Sequence, residues 1–402
     1  MSALRRWKRR LDRRLYALLH RAARLAFPSD APRGPLPAHA VRRLLWMRHD
    51  AAGDLVMTTP ALAYLREALP HAELHVLASP RNAALLAGDP RVDRVHVLDA
   101  SRRGGWWRTA RALRAQRYDV VVDTVIPHHL REGVFTAIVA GRHAARVSHR
   151  RAKRYTGFFT HAPRPPASGH MVDVYLNVAR AVTHHPAERE EPGGAGDAPT
   201  RWPMWLAPDA AAEARMDAQA AALRAAAGGG PLIAVNAWSA DPRRSLAPAL
   251  VVALLDALAR HHPTAALVLT PPPSAVDGAQ AMADAAAREG AAARRVHVLD
   301  ADLPTLVALV RRAALLVSPD TANVHVAVAV GTPVVSLTVR HLAGVRRYGP
   351  RGVPARVVEL ADGRVLPELT EAEALAAIDA LCAEPAVRAR LAVGAPTPAT
   401  ST

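Results

Sequence analysis

Three polar loops hold the residues whose types and spacing could support chemistry. The first follows an apolar run at 44–47 and contains Gly53 and Asp54. The second, 236–246, follows another apolar run and contains paired arginines. The third, 318–325, reads SPDTANVH and also follows an apolar run. In parallel α/β sheets, ligands bind at the carboxyl ends of strands, so we expect these loops to form the site.

The first loop offers a general base. A carboxylate at Asp54, beside a predicted helix start, can accept a proton from a hydroxyl group. Gly53 permits a tight backbone path. We expect Thr58 or Thr59 to cap a helix whose first turn contains Pro60. The alternative is that Asp54 only caps that helix. The loop is not a GxGxxG sequence, which disfavours a dinucleotide site.

The third loop predicts an anion site. We expect a helix to begin near Thr321, where exposed N–H groups and the helix dipole suit a diphosphate. Asp320 could cap the helix or accept a hydrogen bond from a sugar hydroxyl. His325, one turn further, could reach the same ligand. The alternative is a capped helix that carries a half-buried histidine.

The second loop places Arg243 and Arg244 just ahead of another predicted helix. Guanidinium groups there would stabilise the charge of a departing diphosphate. Two solvated surface arginines are the alternative. Elsewhere, the pairs His128-His129 and His261-His262 lack a nearby carboxylate or cysteine ligand set, which disfavours a metal site.

The composition limits the class of protein. The chain has 402 residues, of which 50% are hydrophobic and 22% charged, which predicts a globular protein with two domains. The single cysteine, Cys382, excludes a disulfide framework. No apolar run is long enough to span a bilayer, and no signal peptide is evident, which favours the cytoplasm.

The net charge of +17 is concentrated at the N-terminus, where residues 1–26 hold nine basic side chains and one acidic one, Asp12. This segment is predicted to be an amphipathic helix, because its apolar residues recur every three or four positions. They are Leu4, Trp7, Leu11, Leu15, Leu18, Ala22 and Leu25. A basic helix of this kind is typical of binding to an anionic membrane surface. Docking on the protein itself is the alternative.

Beyond residue 41, strands and helices alternate, which predicts parallel sheets covered by helices. The predicted strands are 44–47, 74–78, 95–98, 119–122, 232–235, 266–269, 296–299, 315–318 and 334–337. The predicted helices are 60–69, 82–87, 107–115, 248–260, 275–288, 304–311, 323–330 and 371–381. The predicted segments are a basic helix at 1–27, a Pro-rich linker at 28–40, domains at 41–183 and 203–392, an inter-domain linker at 184–202 and a tail at 393–402.

The sequence RVHVLDA occurs twice, at 94–100 and at 295–301. Each copy falls near the predicted third strand of its half. Two similarly built Rossmann-like halves would explain the repetition, and chance is the alternative.

The three loops together resemble glycosyltransferase family 9, the bacterial heptosyltransferase family. The runs that carry the resemblance are LLWMRHDAAGDLVMTTPALAYLREALPHAELHVLAS, AVNAWSADPRRSL and VSPDTANVHVAVAVGTPVVSL, in the family's order, within about residues 42–385. Two features depart from the pattern, because Ala322 stands where glycine is frequent and Ser245-Leu246 replaces a tryptophan.

The resemblance implies an α/β protein of the GT-B type, with two Rossmann-like domains facing across a cleft. It makes Asp54 the catalytic base and puts Gly53, Thr58 and Thr59 on the acceptor side. It assigns the nucleotide sugar to a set of residues in the second half: Ser239, Arg243, Arg244, Asp320, Thr321, Ala322, Asn323 and His325.

The resemblance further implies inverting transfer of a sugar, a heptose from ADP-heptose, to a lipopolysaccharide or lipid-linked acceptor. No metal or cofactor is expected, and the enzyme would act at the inner face of the cytoplasmic membrane. One alternative is a transferase of the same fold that uses another nucleotide sugar for another surface glycan. A second is a non-catalytic, membrane-associated binding protein. No nucleic-acid motif accompanies the positive charge, so nucleic acid is not an expected partner.

Overall fold

The computed structural model describes residues 18–19, 21–126, 130–149, 158–184, 201–288, 295–340 and 347–393. The chain divides into two compact units, Met1–Ala198 and Pro199–Thr402. Most of the predicted N-terminal helix at 1–27, nearly all of the linker at 184–202 and all but the first residue of the tail at 393–402 lie outside the described residues. The bounds of these segments therefore stay predictions.

The first unit contains, in its described part, a five-stranded parallel sheet in the order β3-β2-β1-β4-β5. Its strands are β1 Arg43–Met47, β2 Glu73–Ala78, β3 Arg94–Val97, β4 Val120–Asp123 and β5 Ala145–Val147. Its helices are α1 Ala52–Ala68, α2 Gly105–Ala115, α3 Leu130–Ala140 and α4 Met171–Arg180. The strand order reverses between β1 and β4, and their carboxyl ends are where a parallel sheet binds ligands.

The second unit contains, in its described part, a six-stranded parallel sheet in the order β11-β10-β9-β6-β7-β8. Its strands are β6 Leu232–Val235, β7 Ala266–Leu269, β8 Val296–Val298, β9 Ala313–Pro319, β10 Val334–Val339 and β11 Ala355–Leu360. Its helices are α5 Ala210–Ala227, α6 Pro248–His261, α7 Val276–Arg288, α8 Leu303–Arg312, α9 Ala322–Ala329, α10 Glu371–Cys382 and α11 Pro385–Val393. Here the order reverses between β6 and β9.

The central strands form because they are continuous apolar runs. Leu44–Met47 of β1, Leu232–Val235 of β6 and the whole of β9 are buried. A strand buried on both faces needs apolar residues on both, and helices cover a parallel sheet on both sides. All the predicted strands are present within two residues of their predicted ends. The two copies of RVHVLDA supply β3 and β8, the third strand of each sheet.

The structure adds elements that the sequence patterns did not predict. Strands β5 and β11 were missed, and each lies at the edge of its sheet. Helix α4 was missed because its valines at 172, 174 and 178 are typical of a strand. Helix α5 is mostly alanine and shows little apolar contrast between its faces. The segment predicted as a helix at 82–87 is a short 3-10 turn at Ala83–Leu86.

The start of α1 corrects one expectation. The helix begins at Ala52, not near Pro60, so neither Thr58 nor Thr59 caps it. The Thr58 hydroxyl donates to the carbonyl of Asp54 at 2.8 Å. Both threonines lie in the buried interior of the helix.

Thr59 has a specific structural task. Pro60 has no N–H group, so it cannot donate to the carbonyl of Val56, four residues earlier. The Thr59 hydroxyl donates to that same carbonyl at 2.8 Å. Val56, Thr59 and Pro60 are all buried, where water cannot satisfy the carbonyl. The TTP sequence therefore keeps the helix continuous through its proline.

Thr59→Val should lower the free energy of unfolding by about 1–3 kcal/mol, because it leaves a buried carbonyl without a donor. Pro60→Ala restores an N–H group at that place, so the double variant Thr59→Val/Pro60→Ala should regain most of the loss. Urea unfolding of the wild type, both single variants and the double variant measures this coupling. Additive losses in the double variant would contradict the assignment.

Candidate functional site

The first group of side chains centres on Arg48, which directly follows β1 and is fully buried. Its guanidinium lies 2.7 Å from Asp54 Oδ1 and 3.3 Å from Asp50 Oδ2. It also donates to the carbonyl of Thr124, beyond the end of β4. The guanidinium therefore joins the ends of the two strands at which the sheet order reverses to the first turn of α1.

Tyr175 of α4 completes this group. Its hydroxyl donates to Asp54 Oδ1 at 3.0 Å, and its ring centroid lies 4.7 Å from the Arg48 guanidinium carbon. Both polar contacts fall on Oδ1. Within the described residues no hydrogen bond reaches Oδ2, and the Asp54 side chain is 17% exposed. Oδ1 of Asp54 is thus held in place, while Oδ2 accepts no hydrogen bond from the described residues.

Asp54 does not cap α1. It lies in the first turn of the helix, the residue before the first turn is Ala51, and no side-chain cap is formed. The alternative of a purely capping aspartate is therefore wrong. A carboxylate in this turn also benefits from the positive end of the helix dipole.

This group contains two carboxylates, Asp50 and Asp54, and one cation, Arg48. Burial raises the pKa of Asp50 to about 6; Arg48 opposes this shift and the negative charge of Asp54 adds to it. The backbone N–H of Ile126 donates to Asp50 Oδ2 at 2.8 Å. In the described part of the chain, the buried Oδ1 of Asp50 has no hydrogen-bond partner.

Arg48 and Tyr175 keep their ordinary charge states. Burial works to lower the pKa of Arg48, but Tyr175, Asp54 and Asp50 outweigh it and raise that pKa. Burial raises the pKa of Tyr175. Arg48 is therefore a permanent cation and Tyr175 a neutral hydrogen-bond donor.

The second group of side chains centres on Asn236, which directly follows β6. Its side-chain amide donates to Ser318 Oγ at 3.0 Å, to the Trp238 carbonyl at 3.1 Å and to Thr321 Oγ1 at 3.3 Å. These contacts connect the loop after β6 with the loop after β9, where the second sheet changes order. The backbone N–H of Ser239 is held by Ser245 Oγ at 3.0 Å.

Helix α9 begins as predicted, with Thr321 as its cap. The Thr321 hydroxyl accepts from the backbone N–H of Asn323 at 3.4 Å. The cap is not Asp320, which corrects one of the two roles expected for that residue. Ala322 and Asn323 form the first turn, and His325 is only 5% exposed rather than half-buried. Its ring therefore offers little surface to a ligand.

The two arginines of the second loop, 236–246, differ in their partners and in their exposure. Arg244 donates to the carbonyl of Asp320, and its guanidinium lies 3.8 Å from the Asp320 carboxylate. Arg243 pairs with Asp241 at 2.8 Å and has a side chain that is 77% exposed. Hydrogen bonds from Arg243 lower the pKa of Asp241 to about 2. Arg244 thus connects the two loops, while Arg243 is an accessible cation beside them.

The structure therefore brings most of the predicted residues into two groups, one in each unit. Arg48, Asp50, Tyr175 and Asn236 were not predicted. A charged or polar residue directly after a buried strand was the available signal for Arg48 and Asn236. Nothing local marks Tyr175, because it reaches Asp54 from α4, more than a hundred residues along the chain.

One segment of the chain matches a model of a known protein family. Residues 254–349 match the family model described as glycosyltransferase family 9 (heptosyltransferase). The resemblance to this family is confirmed. The matched segment includes β9 and α9, and it supports a heptosyltransferase-like glycosyltransferase. A search of curated proteins gives no match.

Solved structures agree with the fold. A family 9 glycosyltransferase from Veillonella parvula is 20% identical, with a TM-score of 0.67, and covers 85% of this chain and 97% of its own. Heptosyltransferase II of E. coli is 19% identical, with a TM-score of 0.66, and the match covers 84% of this chain and 98% of the E. coli chain. The heptosyltransferase WaaC of E. coli, solved with ADP, is 18% identical, with a TM-score of 0.63. The match covers 84% of this chain and 99% of the WaaC chain. The expected GT-B class, with two parallel-sheet α/β units, is confirmed.

Asp50 should make stability depend on pH. Its pKa of about 6 in the folded protein exceeds the ordinary 3.8, so folding favours the protonated form. The free energy of unfolding that protonated Asp50 contributes is fully present below pH 4 and is lost as the pH rises through 6. Relative to Asp50→Asn, the wild type should lose about 1–3 kcal/mol between pH 4 and 7. Urea unfolding across this range measures the difference, and parallel pH profiles would contradict it.

Proposed function

We propose that the protein is an inverting glycosyltransferase that moves a heptose from ADP-heptose to a lipopolysaccharide or lipid-linked acceptor. The observation that carries this proposal is the arrangement of Asp54, which is fixed through one oxygen at the end of a parallel sheet. The family match over residues 254–349 supports sugar transfer. The E. coli relative WaaC was solved with ADP, which supports ADP as the nucleotide.

In the proposed reaction, Asp54 Oδ2 takes the proton from the attacking acceptor hydroxyl. The hydroxyl oxygen forms a bond to the anomeric carbon as the bond to the diphosphate breaks. The electron pair of the broken bond leaves on the diphosphate. Displacement from the opposite face inverts the anomeric centre.

The charge that grows on the leaving diphosphate is met, in this proposal, by the second group. The N–H group of Ala322 and the positive end of the α9 dipole offer an anion site. Arg243 is exposed and can turn toward a phosphate, while Arg244 holds the loop against Asp320. Positive charge then comes from arginines and the helix dipole, without metal or cofactor. The joint action of the two units on one donor is part of the proposal.

Two variants should separate the roles of the two groups. Asp54→Asn should lower kcat about a hundredfold or more, the usual scale for a general base, while ADP affinity stays unchanged. Arg243→Ala should weaken ADP binding roughly tenfold, the scale of one charge-assisted hydrogen bond. Transfer from ADP-heptose and calorimetric titration with ADP measure the two effects.

Matched controls exist in each unit. Asp99→Asn changes a carboxylate that follows β3 in the same sheet, and Arg260→Ala changes an exposed arginine at the end of α6. Both should behave like the wild type. Near-normal turnover of Asp54→Asn would refute its role as base. Unchanged ADP affinity of Arg243→Ala would remove it from the donor site.

We also propose that the N-terminal segment holds the enzyme on the inner face of the cytoplasmic membrane, where a lipid-linked acceptor lies. Leu18 and Leu25, two members of the predicted apolar stripe, are 64% and 76% exposed. Arg146 donates to the carbonyls of Phe27 and Pro28, which attaches the end of this segment to the first unit. None of the described helices is long and apolar enough to cross a bilayer.

Deleting residues 1–26, which preserves the Phe27 carbonyl, should reduce binding to phosphatidylglycerol vesicles, most strongly at low salt. The double variant Leu18→Ser/Leu25→Ser keeps every charge and should also bind less. Vesicle co-sedimentation measures both, with phosphatidylcholine vesicles as the neutral control. Equal binding by the truncated and intact chains would favour a helix that docks on the protein.

A further inference from the structure

A second cluster of chemistry-bearing side chains lies away from Asp54, toward the amino ends of the strands in the first unit. It contains His75 of β2, His96 of β3 and Tyr118, which precedes β4. His75 and Tyr118 are buried, and His96 is half-buried. The proposed transfer reaction uses none of them.

Two ring nitrogens and one hydroxyl oxygen converge in this cluster. His75 Nδ1 lies 2.9 Å from the Tyr118 hydroxyl and 3.2 Å from His96 Nε2. The Tyr118 hydroxyl lies 3.2 Å from His96 Nε2, which closes a triangle. Ligands about 2.0–2.1 Å from a tetrahedral zinc ion lie about 3.3 Å from one another. The triangle is therefore within a few tenths of an ångström of one face of a tetrahedral site.

The surroundings of His75 are those of a metal ligand. A ligating histidine usually donates its other ring N–H to a carboxylate, which fixes its tautomer. His75 Nε2 lies 3.3 Å from Glu73 Oε2. Glu73 is itself held by Arg43, with contacts of 2.7 and 3.0 Å. This chain of contacts leaves His75 Nδ1 as the lone-pair atom that faces His96 and Tyr118.

The repeated heptapeptide supplies an internal comparison. His96 belongs to the first copy of RVHVLDA, and His297 holds the same place in the second. In β7, Val268 is the register partner of His297, so Ala266 occupies the place that His75 has in β2. His297 Nε2 is buried and, in the described part of the chain, has no hydrogen-bond partner. The same strand thus carries a ligand cluster in one unit and a lone imidazole in the other.

We propose that His75, His96 and Tyr118 form a binding site for a divalent transition-metal ion of the zinc type, with water as the fourth ligand on the half-exposed side of His96. Among the described residues no group of three His, Cys, Asp or Glu side chains could hold a metal. The proposed site differs from such groups because the Tyr118 oxygen supplies its third ligand. The site ties β2 and β3 to the segment before β4, so the bound ion stabilises the first unit.

The test uses the full chain without a histidine tag and zinc chloride as the probe. Equilibrium dialysis followed by metal analysis gives the stoichiometry, and cobalt substitution gives the visible spectrum of a tetrahedral site. The wild type should retain one ion that His96→Ala loses, with affinity lowered roughly tenfold or more. Tyr118→Phe should weaken binding and alter the cobalt spectrum.

His297→Ala is the matched control and should retain the ion, which separates this site from the other histidines of a chain that has 19. Zinc should raise the Tm of the wild type and of His297→Ala, but not that of His96→Ala. Equal zinc content in His96→Ala and the wild type would overturn the proposal. So would a wild type that retains no zinc, which would leave the three groups as a hydrogen-bonded ring. Neither outcome touches sugar transfer.

Discussion

The charge of Arg48 is the constraint on which the proposed active site depends. A guanidinium with no exposed surface requires partners, and removing one partner of a buried pair costs about 3–5 kcal/mol. Arg48 finds them in Asp54, Asp50, the Tyr175 hydroxyl and the Thr124 carbonyl. The same contacts that satisfy this cation hold the Asp54 carboxylate in one orientation. Stability and chemistry thus impose the same geometry on this carboxylate.

Both units use their sheets in the same way. In each, the strand order changes at the centre, and a polar residue directly after the first strand of the sheet connects the two central strand ends. In the first unit this residue is the cation Arg48, and it holds an acid. In the second it is the neutral amide Asn236, which joins Ser318 and Thr321 at the start of a helix. Arg48 and Asn236 thus occupy the same topological position. The cation holds a carboxylate in the first unit, and the neutral amide lies where the second unit would bind an anionic diphosphate.

Much of this could be predicted from the sequence, because long apolar runs fix the central strands and polar residues after them mark the site. The missed strands β5 and β11 lie at sheet edges. The start of α1 was misplaced because Pro60 is typical of a first turn, and only the Thr59 hydroxyl shows how the helix tolerates it. Tyr175 could not be predicted, since its role exists only once α4 packs against α1. The first loop and the family resemblance both predict that Asp54 acts as a base, and the structure adds the contacts that orient its carboxylate.

The most direct measurement is a double-mutant cycle between Tyr175 and Asp54, read as the single-turnover rate of transfer from ADP-heptose. Tyr175→Phe keeps the ring against Arg48 and removes the hydroxyl, which donates to Asp54 Oδ1 and accepts from the Arg48 guanidinium. If Tyr175 acts through Asp54, this variant slows transfer about two- to tenfold in the wild type and has no further effect in Asp54→Asn. Losses that multiply in the double variant would contradict the account.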